Sequence, residues 1–213
     1  MTRFILVRHG ESFANRRNIY VGHTDVPLEE RGFKQAALTA EYIAENYKVD
    51  RVVASDLQRA FNTGKTIADR LGLPITPDPS FREIFAGEWE NTPFDELTVK
   101  FVDSYSVWRE DIGRCACPGG ETVAELAARV MRGLERLAAQ CDGETVVVAT
   151  HATPIRAVQT LVTRGSIEHM KDVPWATNAS VSVLEHDSGE WRFVLLSYDA
   201  HLGEYKNSIK GKV

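Results

Sequence analysis

Three short apolar runs end abruptly at polar residues: Phe4-Ile5-Leu6-Val7 before Arg8-His9, Arg51-Val52-Val53-Ala54 before Ser55-Asp56, and Thr145-Val146-Val147-Val148-Ala149 before Thr150-His151. Continuous runs of this length suit strands buried on both faces of a sheet. Between them the apolar positions take a helical period. Phe33, Ala36, Ala37, Ala40, Ile43, Ala44 and Tyr47 predict one helix, and Leu57, Ala60, Ile67, Ala68 and Leu71 a second, which Gly72 is placed to end. Thr122-Val123-Ala124-Glu125 is a capping box ahead of a stripe of Val123, Leu126, Ala127, Val130, Met131, Leu134 and Leu137. Pro154, just after Thr150-His151, suits the first position of a further helix. Strands alternating with helices predict an α/β fold, a three-layer α/β/α sandwich around a mostly parallel central sheet. Ser180–Leu184 and Trp191–Leu195 flank His186-Asp187-Ser188-Gly189, a hairpin signature that predicts an antiparallel edge. The stretch of about 77–120, rich in Pro, Gly and Trp, predicts a small insertion over the carboxyl ends of the strands. The tail after Tyr198, with Lys206, Lys210 and Lys212, has no apolar period and predicts loose order.

With 213 residues, 43% of them hydrophobic and 26% charged, the composition is that of a soluble globular chain, expected to form one domain over 1–213. A formal charge of -5 argues against nucleic acid as the main partner, which calls for a dense basic surface. Four apolar residues between Arg3 and Arg8 are too few for a signal peptide or a membrane span, so a cytoplasmic protein without a membrane partner is expected. Cys115, Cys117 and Cys141 are read as free thiols. The spacing of the first two would strain a mutual disulfide, and no His sits at finger-like spacing for zinc. Oligomeric state has no short motif and stays unread.

Ligand sites in open α/β sheets lie beyond the carboxyl ends of the strands. Here the first strand ends in Arg8-His9-Gly10-Glu11-Ser12, the second leads into Ser55-Asp56-Leu57-Gln58-Arg59, and the third ends in Thr150-His151. Each feature alone is weak. Together, three segments bring two His and two Arg to one sheet edge, where phosphate is the natural guest. The helix that opens after His151 adds unpaired N–H groups and a positive dipole end for an anion.

At these residues the sequence resembles the histidine phosphatase superfamily, the group that includes cofactor-dependent phosphoglycerate mutase. The match runs through Leu6-Val7-Arg8-His9-Gly10-Glu11-Ser12 with Asn15, and Gly22-His23-Thr24-Asp25-Val26-Pro27-Leu28 with Gly32 and Gln35-Ala36. It continues through Ser55–Ala60 with Thr63, Arg82-Glu83 with Gly87–Glu90, Pro118–Thr122, and Thr150-His151 with Ile155-Arg156. The resemblance implies that His9 attacks phosphorus to form a phosphohistidine, a role for a neutral imidazole with one nitrogen free. Arg8, Arg59 and His151 would hold the equatorial oxygens, with Asn15 and Gly22 as further substrate contacts. Glu83 would protonate the leaving alkoxide and later take a proton from water. Glu88 and Glu90 lie close by, and it is the match that singles out Glu83. No metal or other cofactor is implied, since guanidinium and imidazole supply the positive charge.

The mutases of this family carry an Arg-His-Tyr run after the acid and further paired arginines. Here Ile84-Phe85-Ala86 follow Glu83, and Arg109 and Arg114 stand apart. Phe13, Ile19, Tyr20, Val21, Ile84 and Phe85 are candidates for an apolar lip, and His23 for the entrance. A phosphatase acting on a small phosphomonoester and releasing inorganic phosphate is therefore the first reading. A phosphoglycerate mutase is the alternative, and a non-catalytic phospholigand-binding module the second. Two departures from the family pattern stand out: Ala152 replaces the usual Gly after the second His, and Asn91 a frequent Gly after Trp89-Glu90.

Overall fold

The computed structural model describes residues 1–207. Its central sheet takes up all three apolar runs, as β1 (Thr2–Arg8), β3 (Arg51–Ala54) and β6 (Thr145–Thr150). Beside them lie β4 (Ile75–Pro77), β7 (Val181–Asp187) and β8 (Glu190–Tyr198), in the order β4-β3-β6-β1-β7-β8. The first four of that order run parallel, and β7 and β8 are antiparallel. The runs are continuous because both faces are covered. Phe4 and Leu6 join Val146, Val148, Val130 and Leu134 in one apolar cluster, while Ile5 and Val7 join Val52, Val147, Ile43 and Ile67 in another. Burying such a side chain stabilises by about 1.5–3 kcal/mol, so the strands that carry the site are anchored by the core itself.

The helices that cover the sheet are α2 (Glu30–Asn46) and α3 (Gln58–Leu71) on one side, α6 (Val123–Gln140) and α7 (Ala152–Arg164) on the other. Gly72 ends α3 in the left-handed region, and Thr122 caps α6 through the expected box with Glu125. The β7–β8 turn has Ser188 and Gly189 at φ 51° and 88°, as a two-residue hairpin requires. Pro154 is the third residue of α7, not the first, because His151 caps that helix. The N–H groups of a first turn lack helical partners anyway, so Pro costs no hydrogen bond there.

Register brings the site together. Arg8 pairs with Thr150 and Ala54 with Ala149, so His9, Ser55 and His151 emerge side by side at one sheet edge. After β1 the chain turns tightly through Gly10 into α1 (Phe13–Arg17) and β2 (Ile19–Tyr20). A Cβ on Gly10 would fall 2.3 Å from the Gly32 carbonyl oxygen, so only glycine allows this approach.

Residues 77–120 are more ordered than their irregular sequence suggests. They hold β5 (Thr92–Pro93), which pairs with β2, then α4 (Phe94–Lys100) and α5 (Val102–Glu110). An edge-on cluster of Tyr20, Trp89, Tyr105 and Trp108 rings, 5.5–5.9 Å apart, forms their core, with Trp89 fully buried as a packing residue. The tail also departs from expectation. Ala200–Tyr205 form 3-10 turns against α2, with Leu202 buried and His201 Nε2 2.9 Å from Thr39 Oγ1. Polar contacts dock this segment, which hydropathy does not register. Lys210 and Lys212 lie outside the described residues. Among those described, no helix is long and apolar enough to cross a membrane.

Candidate active site

The floor of the site is cationic and dry. His9 directs its Nδ1 at the Gly10 carbonyl, 2.7 Å away, which places the proton on Nδ1 and leaves Nε2 with a free lone pair. Burial, reinforced by Arg59 and Arg8, pushes the His9 imidazole well below its ordinary range, so it is neutral at neutral pH. His151 stands edge-on to it, ring centres 5.2 Å apart, and is lowered likewise by burial and then by Arg59. Its Nε2 lies 2.8 Å from Ser55 Oγ, and its buried Nδ1 has no partner.

Arg59, 1% exposed, donates to the carbonyls of Thr24 at 3.0 Å and Gly22 at 2.7 Å. Arg8 donates to Ala176 O at 2.6 Å, and its Nε is buried without a partner. Burial lowers Arg8 to about 10, which leaves it charged at neutral pH. Neither guanidinium has an ion-pair partner among the described residues. Glu83 stabilises both charges without pairing directly with either, and an anion seated between the two would supply that direct partner.

Glu83 is 8% exposed, and its carboxylate accepts from Ile84 N at 2.8 Å and Thr153 N at 3.3 Å. The first turn of α7 thus spends an N–H on this carboxylate, where the sequence suggested that it faces a bound anion. Arg129 on α6 clamps the loop that carries Glu83. Its Nε and one Nη2 donor bind Glu121 at 2.9 and 2.8 Å, and the other three reach the carbonyls of Ser80, Arg82 and Glu83 at 2.9, 3.1 and 3.2 Å. All five N–H groups are used. His23 Nε2 donates to the Glu83 carbonyl at 2.9 Å, so His23 braces the loop that carries Glu83 and does not line the entrance.

Above this floor opens a cavity of about 410 Å³. Arg8, His9, Asn15, Arg59 and Glu83 line it, while the fully buried His151 stands edge-on to His9. Asn15 Oδ1 accepts from Ser12 and Asn178, and its Nδ2 is uncommitted among the described residues.

The sequence profile of the histidine phosphatase superfamily (branch 1) matches residues 4–199. The chain belongs to the histidine phosphatase superfamily. Phosphoserine phosphatase 1 of Hydrogenobacter thermophilus is 31% identical over 208 residues, covering 96% of both chains. A bifunctional protein of Mycobacterium tuberculosis is 34% identical over 155 residues, 73% of this chain and 42% of that protein, so the match spans about two-fifths of that relative. The structure of a mycobacterial glucosyl-3-phosphoglycerate phosphatase in complex with VO3 superposes with a TM-score of 0.86 at 27% identity, covering 92% of this chain and 99% of that one.

Within this superfamily framework several expected positions are revised. Gly22 does not line the cavity. Its N–H goes to Glu90 Oε2 at 3.0 Å, a Cβ there would fall 2.0 Å from Ile84 O, and its carbonyl holds Arg59. Of the expected lip, Ile19, Tyr20 and Val21 line the cavity. Phe13 instead packs under the Arg17 guanidinium, Ile84 is fully buried, and Phe85 turns to His23. Phe94, Trp108 and Trp175 take their place. Asn91 adopts φ 61°, a left-handed conformation that Asn tolerates nearly as Gly does. Ala152 lines the cavity at the start of α7.

Sequence reasoning assigned no role to Glu90. It accepts from the N–H groups of Gly22, His23, Thr24 and Ala86, and so holds the loop whose carbonyls bind Arg59. Burial raises its carboxyl, but these hydrogen bonds prevail and hold it below its ordinary value. Asn178 is buried and donates to the His9 carbonyl at 3.0 Å. No hydrophobic period marks either residue, because most of their partners lie far off in sequence.

Proposed function

We propose that the protein hydrolyses a small phosphomonoester through a phosphohistidine at His9. The observation that carries this reading is a neutral imidazole with Nε2 free beside a buried guanidinium, Arg59, and a half-buried one, Arg8, neither with an ion pair among the described residues. In the first half-reaction the Nε2 lone pair attacks phosphorus and the P–O bond to the leaving group breaks. The departing oxygen takes a proton from Glu83. In the second, Glu83 takes a proton from water as the water oxygen attacks phosphorus, and the N–P bond returns its pair to His9.

Arg8 and Arg59 offset the charge on the equatorial oxygens, and Asn15 Nδ2 adds a donor. Ser55 O–H, donating to His151 Nε2, would leave an Nδ1–H for the same oxygens. The leaving group meets an aromatic wall of Tyr20, Phe94, Trp108 and Trp175, which favours a ring-bearing or apolar alcohol over a compact anion.

The purified protein should release inorganic phosphate from para-nitrophenyl phosphate and from some members of a metabolite panel, in excess EDTA. Acid-free quenching should trap a phosphate adduct on His9, and His9→Ala should lower kcat by about 10⁴-fold or more. Exchange between 2- and 3-phosphoglycerate without net hydrolysis would favour the mutase instead. Absence of an adduct in a His151→Ala trap would favour a binder. Activity lost in EDTA and restored by a divalent ion would overturn the metal-free route.

A further inference from the structure

The cavity wall includes two residues of the C-terminal segment that the reaction above does not use, Lys206 and Asn207. Lys206 is paired with Asp199 at 2.7 Å. Asn207 Nδ2 donates to Glu11 Oε2 and to Asn178 Oδ1, both at 3.1 Å. Its Oδ1 accepts from Gln35 Nε2 at 3.2 Å and from Arg31 Nε at 3.3 Å. Two donated and two accepted bonds are the full capacity of a side-chain amide.

Three of these partners grip the loop that presents the nucleophile. Asn178 Nδ2 donates to the His9 carbonyl at 3.0 Å, and Gln35 Oε1 accepts from Glu11 N at 2.7 Å. Glu11 is the third. Between these grips, Gly10 N donates to Thr63 Oγ1 at 3.1 Å, and the Gly10 carbonyl receives the His9 Nδ1 proton.

An amide is free to turn over and exchange its donor and acceptor ends unless its neighbours forbid it. Asn207 forbids it twice. By presenting a donor to Asn178 it claims the Oδ1 end, which turns Nδ2 toward the His9 carbonyl. By presenting an acceptor to Gln35 it joins the Tyr205 carbonyl in claiming the Nε2 end, which turns Oε1 toward Glu11 N.

We propose that Asn207 is a positioning residue for His9, reaching from the C-terminal segment to fix the amides on either side of the nucleophile loop. A role confined to docking the tail fits less well. Gln35 Nε2 also donates to Tyr205 O at 2.8 Å and Arg31 Nη2 to Glu204 O at 3.0 Å, so docking keeps contacts that do not involve Asn207.

The kinetic part of the test rests on the phosphatase reading; the spectroscopic part does not. Asn207→Ala removes all four bonds. Asn207→Asp keeps the shape and the acceptor, but sets a carboxylate against Glu11 and the Asn178 carbonyl oxygen. With para-nitrophenyl phosphate, kcat should fall about tenfold or more in Asn207→Ala and further in Asn207→Asp, while KM moves less than about threefold, because a small misplacement of a nucleophile costs rate more than affinity. Adding Glu11→Gln to Asn207→Asp restores a donor–acceptor pair and should recover about threefold or more of the lost kcat. In full-length protein labelled with ¹⁵N-histidine, the His9 ring signals should shift or split in both single variants. Variants with kcat within twofold of the parent, or with His9 signals unchanged, would overturn the proposal. If the parent protein turns over no ester, the phosphatase reading falls alone and the His9 signals decide the positioning role.

Discussion

The floor and the wall of this cavity are built on opposite principles. On the floor, His9, Arg59, His151 and Glu83 are buried, and each is tied to backbone or side-chain partners by named hydrogen bonds. The aromatic side of the wall is made of rings, Tyr20 and Trp108 buried and Phe94 and Trp175 half-buried, that touch one another without directional bonds to the floor. Directional bonding fixes the geometry that a phosphoryl group needs, whereas ring packing accommodates leaving groups of varied shape. Chemistry and selectivity should therefore separate under mutation.

Four changes break or sharpen this contrast. Glu83→Gln keeps the Ile84 N–H contact but removes the transferable proton. It should lower kcat by about 10²–10⁴-fold for an alkyl phosphate and far less for para-nitrophenyl phosphate, whose leaving group departs unprotonated. Equal losses on both esters would remove Glu83 from its role.

The second change is pH. His9 and His151 are held neutral in the fold but take up protons near pH 6.5 once unfolded. Below that value the unfolded state binds more protons, so stability declines as pH falls, by about 1.4 kcal/mol per pH unit for each histidine until its native value is reached. Thermal scans from pH 7 to 5 should show Tm dropping by several degrees, and His9→Asn with His151→Asn should flatten the curve. An unflattened curve would assign the decline to other groups.

Third, Arg129→Lys keeps the charge but cannot replace a five-donor clamp. We expect kcat to fall about tenfold with little change in KM, since the loop bearing Glu83 loosens while the phosphate cradle stays intact. A matching rise in KM would place Arg129 in substrate binding. The smallest effect belongs to the wall. Trp175→Ala should raise KM for aryl phosphates about fivefold, from lost ring contact, and leave kcat and small alkyl phosphates nearly unchanged. A fall in kcat on every ester would show that the wall supports the floor.

Much of the floor was legible in sequence. Apolar runs that stop at Arg8-His9 and Thr150-His151 announce buried strands with chemistry at their ends, and in the superfamily match Glu83 stood apart from its neighbours. Glu88 proves exposed and Glu90 is committed to the Gly22–Thr24 backbone, while Glu83 alone of the three lines the cavity. The wall was read less well. Phe13, Ile84 and Phe85 follow the motif residues closely in sequence, yet they face away from the cavity or lie beneath it, and Trp175 comes from a distant loop.

By itself the sequence determined β1, β3, β6, the β7–β8 hairpin, the four helices that cover the sheet and the end of the sheet at which His9, Arg59 and His151 gather, because hydrophobic period and strand-end polarity are local properties. Only the tertiary structure decided which polar side chains hold those residues in place. Glu90, Arg129, Asn178 and Asn207 each reach a partner 46 to 196 residues away, through hydrogen bonds that no periodicity brings into view.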